Sequence, residues 1–118
     1  MSENKQYITH AQEHGTVLIS DVVVASIAYS AAKDVEGVSA ISFKLGERIN
    51  AKNWNKSLKI EIGENNEISV ECSIVVAYGQ AVIMVAKAVQ DAITAAIENT
   101  TGIKPSVVNI NVCGIAAQ

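Results

Sequence analysis

His10-Ala11-Gln12-Glu13-His14 spells H-x-x-E-H, a spacing that can carry chemistry. On a helix, two histidines four apart share one face and can hold a zinc ion, with the glutamate as a base. Here the five residues stand in a polar run just before Gly15, with no apolar side to pin a helix. These are the only two histidines of the chain, and no third ligand is evident. The pattern reads as solvated tail, and no metal is expected. Other catalytic signatures are missing too. No serine sits in a G-x-S-x-G elbow, and neither Cys72 nor Cys113 has a sequence sign of activation. The glycines are single, so no loop of the G-x-G-x-x-G or G-x-x-x-x-G-K kind cradles a phosphate. The reading is of a protein without catalytic residues or cofactor.

Binding chemistry has more to stand on. Residues 44–59 hold Lys44, Arg48, Lys52, Lys56 and Lys59 against the single acid Glu47, in a chain whose net charge is -3. The first four basic residues recur every fourth position, with Leu45, Ile49 and Trp54 between them. Such a segment suits an anionic surface or an acidic partner. Lys44, Arg48, Lys52, Trp54 and Lys56 are the candidate contacts. A plain solvated connector between strands remains the other reading, because Gly46, Asn50, Asn53 and Asn55 break a long helix. Nucleic acid is not expected: one tryptophan makes no stacking array, and the chain is acidic.

The elements that would position these residues follow from periodicity. The chain has 118 residues, 49% hydrophobic and 18% charged, which fits one globular domain and excludes global disorder. Residues 1–14 are expected to be a flexible tail and residues 15–118 a single domain. Thr16 to Ser20 alternates as a strand. Ser20 then caps a helix that runs to about Val35 and stops at Gly37. Val38 to Phe43 is the next strand. Leu58 to Gly63 and Glu67 to Tyr78 alternate around the turn Glu64-Asn65-Asn66 and form a hairpin with one wet side. A second helix runs from about Gln80 to Thr100 and ends at Gly102, and Ser106 to Ile115 is the last strand. The order β-α-β-β-β-α-β is an α+β fold: two helices on one face of a mostly antiparallel sheet, a two-layer sandwich. Its two β-α-β portions hint at a split, ferredoxin-like arrangement; the strand order is not readable.

Both helices are greasier than one sheet requires. Their polar residues form single stripes, Ser26, Ser30 and Lys33 in the first, Lys87, Asp91, Thr94 and Glu98 in the second. Val82, Ile83, Met84 and Val85 are consecutive, so some point away from the sheet. They are the candidate helix interface for another subunit or protein. The alternative is that the two helices cover each other. Cys72 and Cys113 read as buried free thiols, which fits a reducing cytosol. The first residues carry no secretory pattern, and no run is long enough to span a membrane.

These residues resemble the alkaline shock protein family, envelope stress response proteins common in Gram-positive bacteria. The resemblance is carried by Gly15-x-Val17-x-Ile19-Ser20, Val23, Ile27-Ala28 and Val35-x-Gly37-Val38, then by Ile74-x-Val76-x-Tyr78-Gly79 and Val82-x-x-Val85-Ala86-x-x-Val89-Gln90. It continues through Thr101-Gly102-Ile103 and Val108-Asn109-Ile110-x-Val112-x-Gly114-Ile115. Thr100 departs from it, standing where members often carry a bulky apolar residue. The resemblance implies a cytoplasmic, non-enzymatic protein of cell-envelope homeostasis, held at the membrane through a membrane-anchored protein partner. The expected function is a scaffold that self-associates into a homo-oligomer and docks on that partner. The alternative is a regulatory subunit for an enzyme of fatty-acid or lipid synthesis.

Overall fold

A computed structural model of the chain describes residues 7–41 and 58–116. The first apolar alternation is β2 (Gly15–Ser20), and it has an antiparallel partner in β1 (Tyr7–Gln12). The expected flexible tail over residues 1–14 is therefore corrected: residues 7–12 are a strand, and the order is β-β-α-β-β-β-α-β. Long-range contact, not pattern, makes this strand. Ile8 is fully buried in the core. The Thr9 N–H donates to Asn66 Oδ1 at 3.0 Å, and Asn66 Nδ2 donates back to Thr9 O at 3.0 Å.

Ser20 caps α1 (Asp21–Lys33), its Oγ accepting from the Val23 N–H at 3.4 Å. Asp21 follows in the first turn, where a carboxylate meets the positive end of the helix dipole. Gly37, at φ +98°, then turns the chain into β3 (Val38–Ile41). Beyond residues 42–57 come β4 (Leu58–Ile62) and β5 (Ile68–Val76), joined by a turn in which Asn66 is left-handed at φ 62°. The helix α2 (Val82–Thr101) ends at left-handed Gly102, and β6 (Val107–Ile115) follows.

β5 is the centre of the main sheet. It pairs antiparallel with β3 and β4 and parallel with β6. β3 and β4 share one side of it: Ile41 lies opposite Ile74 and Leu58 opposite Cys72. They are two pieces of one edge line, interrupted opposite Ser73 by residues 42–57. β5-α2-β6 is a parallel β-α-β unit. β2 pairs with β1 outside this sheet, so only one half of the split ferredoxin-like arrangement is present.

The core lies between sheet and helices. From β5, Ile68, Val70, Cys72, Ile74 and Val76 are buried, two apart as the pleat requires. From α2 come Val85, Val89, Ile93 and Ile97, four apart, and from α1 come Val24, Ala25, Ala28 and Ala32. The small α1 residues allow close approach to α2. α1 packs over β3 and β4, and α2 over β6. Cys72 is a buried thiol as expected. Cys113 is exposed instead, because it keeps the alternation of β6 and stands on the outer face with Asn109 and Asn111.

Candidate functional site

The start of α2 is where apolar side chains stay in water. β5 ends in a turn at Tyr78-Gly79, with Gly79 at φ +91° and the Gln80 N–H donating to Ala77 O at 3.2 Å. The N-cap Ala81 offers no side-chain oxygen, and the first turn holds no acid. A helix advances about 100° per residue, so Val82 and Val85 turn inward while Ile83 and Met84 turn out. Val85 is only 5% exposed, and its Cγ2 lies against Gly37, where a Cβ would stand 2.7 Å away. Ile83 is 79% exposed, Met84 72% and Tyr78 62%.

Of the four expected interface residues, then, two stand in the open. Val85 is removed from the candidate contact, because it fills the space that a glycine leaves at position 37. Val82 is half-buried and packs on the core. Val22 and Val23 in the first turn of α1 are exposed as well, and so are Tyr7 of β1, Val17 and Leu18 of β2, and Val107 and Ile115 of β6. The sequence pattern runs the alternating strand through Tyr78, but Tyr78 lies beyond the last ladder pair of β5, at Val76, and is exposed there. The other expected contacts, Lys44, Arg48, Lys52, Trp54 and Lys56, fall outside the described residues.

Ile83 and Met84 open onto different grooves. Met84 lines one with Val35, Glu36, Gln80, Ala81 and Ala88, between the end of α1 and the start of α2. Ile83 lines another with Ala86, Lys87, Gln90, Asn109 and Asn111, along β6. Both are open and lined by apolar and polar side chains together. The ion pair Lys87–Asp91, at 3.6 Å, is exposed and contributes little.

Reactive chemistry does not converge anywhere among the described residues, and no group of three potential metal ligands forms there. The H-x-x-E-H residues lie on a strand and its turn, not on a helix. His10 Nε2 lies 2.8 Å from Thr101 O, and a carbonyl only accepts, so that nitrogen carries the hydrogen. His10 thus ties β1 to the end of α2. Thr100 is exposed, so its departure from the family pattern falls on the surface; Thr101 is the buried neighbour and donates to Ile97 O at 2.8 Å. Burial pushes the Cys72 thiol up to about 12, with Cys113 nearby adding to the rise. That thiol is inert at neutral pH. Among the described residues no helix is long and apolar enough to cross a membrane.

Fold and surface together define a single α+β domain that offers contact faces. The chain belongs to the alkaline shock protein 23 family, which has a cell envelope-related function; the family model matches residues 9–117. Two relatives come from Bacillus subtilis (strain 168). The uncharacterized protein YqhY is 32% identical over 90% of this chain and 82% of its own length. The uncharacterized protein YloU is 28% identical over 87% of this chain and 90% of its own. Among solved structures, one MamM CTD variant aligns with a TM-score of 0.49 at 18% identity, covering 80% of this chain and 96% of that one.

Proposed function

We propose that the chain is a non-enzymatic interaction protein of the bacterial envelope stress response, which self-associates and docks on a membrane-associated protein partner. The observation that carries this reading is the apolar start of α2, with exposed Met84 in an open groove that Glu36 and Gln80 also line. Exposed apolar side chains among polar ones are the kind of surface that a protein contact covers. Burying Met84 alone would contribute roughly 1.5–3 kcal/mol. The cell envelope-related function of the family supports a partner at the membrane.

The test is a pull-down from detergent-solubilised membranes with the tagged chain. Wild type is expected to retain a membrane-spanning protein, and Met84→Glu to lose it at least tenfold while keeping native circular dichroism. Reversal of Arg48, Lys52 and Lys56 to Glu runs in parallel. Loss with the reversal but not with Met84→Glu would move the docking site to the basic segment. Capture of a soluble lipid-synthesis enzyme alone would overturn the reading in favour of a regulatory subunit.

A further inference from the structure

We infer that a second copy of this chain pairs along the edge of β6 that carries no other strand among the described residues, antiparallel and centred on Asn111. The inference rests on the self-association half of the proposed function and assigns it a surface.

The two edges of the main sheet differ in their protection. The β3–β4 edge is broken into pieces of 4 and 5 residues, and β4 carries Lys59 and Glu61. β6 has 9 residues, Val107–Ile115, with no charge and no proline, and its one strand partner among the described residues is β5. Long uncharged edges invite another strand.

The hydrogen bonds show which groups are available. The Gly63 N–H donates to Glu67 O at 2.7 Å and the Ala77 N–H to Gly37 O at 2.8 Å, so odd-numbered β5 residues face β3 and β4. Even-numbered ones face β6, as Val76 O does in accepting from the Ala116 N–H at 2.8 Å. By the register of Val70 with Val108, the backbone groups of Val108, Ile110 and Val112 turn outward. Gln90 confirms the side, its Nε2 donating to Val108 O at 2.7 Å. That carbonyl is taken. Ile110 and Val112 keep both of their outward groups, and an antiparallel copy centred on Asn111 uses these and no others: Ile110 exchanges bonds with Val112 of the copy, twice over by symmetry.

The side chains suit this two-fold. Asn111 stands opposite its own equivalent on the helix-free side; its Nδ2 donates to Glu71 Oε2 at 3.0 Å, which leaves Oδ1 and the second amide hydrogen for the copy, and the β6 strands themselves carry no charge. On the other side Ile110 meets Val112, extending the row that packs under α2. From Val108 to Asn111 a strand rises about 10 Å. The same distance back along α2 from Gln90 is about 6–7 residues and reaches Ile83. The most exposed apolar side chain of the helix therefore lies at the level of the axis, where a copy's Ile83 would cover it. Strand edge and helix flank together offer on the order of 500 Å² per copy, below the ~800 Å² of a standard stable interface, so the dimer is weak and concentration-dependent.

The experiment uses the full chain with Cys113→Ser, which removes the exposed thiol, and adds Asn111→Cys or Asn109→Cys. Facing residues of a non-hydrogen-bonded pair have Cα atoms about 4.5 Å apart, within disulfide reach. Position 109 would lie four rungs from its own equivalent, beyond reach. Under mild oxidation the Asn111→Cys protein is expected to become a covalent dimer and the Asn109→Cys protein to stay uncrosslinked. Wild type should show dimer by sedimentation near ~100 μM, where contacts of about -5.5 kcal/mol are populated. A dimer without the Asn111→Cys crosslink, or with equal crosslinking at both positions, overturns the β6 edge and leaves self-association standing. A strict monomer at that concentration overturns both.

Discussion

Cys72 and Cys113 stand on neighbouring strands and differ in what governs a thiol. Cys72 is buried, with its ionisation raised from an ordinary 9.0 to about 12; Cys113 is exposed, its Sγ donating to Ile74 O at 3.4 Å. Below pH 9 both folded and unfolded Cys72 are protonated, and its contribution is constant. Between pH 9 and 12 the unfolded thiol ionises first, so stability falls by about 1.4 kcal/mol per pH unit from this group. Urea titrations across that range should show the slope in wild type and lose it in Cys72→Ala. A thiol reagent at pH 8 should label Cys113 at once and Cys72 only on unfolding. That Cys72 is buried was legible, because it shares the alternation of Val70 and Ile74. The exposure of Cys113 was legible in the same way, because it stands two beyond Asn111 on the polar side of β6; reading it as buried on its residue type overlooked that place.

The strands announced themselves where a pleat alternates unaided. β4 and β5 read directly as Leu58, Ile60 and Ile62 against Lys59 and Glu61, followed by Ile68 to Val76. β1 did not, since Ile8 and Tyr7 set no period. Its hold comes from Asn66 and Thr101, 57 and 91 residues further along. The ribbon is a structural element nonetheless. Ile8→Ala should cost about 2–5 kcal/mol, the range for emptying a buried aliphatic site, and calorimetry would register it. A change within noise would return these residues to the status of a tail. The helix starts followed a similar rule: their greasiness was visible in sequence, but which of Ile83, Met84 and Val85 faced water depended on Gly37, 48 residues before Val85.

At the scale of the molecule, β3 ends and β4 begins on one edge a single rung apart. Ile41 and Leu58 bracket the position opposite Ser73, so one residue joining them preserves both register and facing. For a flexible loop as long as residues 42–57, closure costs about 2 kcal/mol more than for a single residue. The excised protein is expected to melt higher than wild type in thermal denaturation and to lose whatever binding Lys44, Arg48, Lys52, Trp54 and Lys56 supply. A variant that fails to fold would show that the excised residues belong to the core. The interruption acts as a socket. Any insert whose two ends can meet side by side may be plugged in there while the sheet closes behind it, which lets recognition diversify without the scaffold being rebuilt.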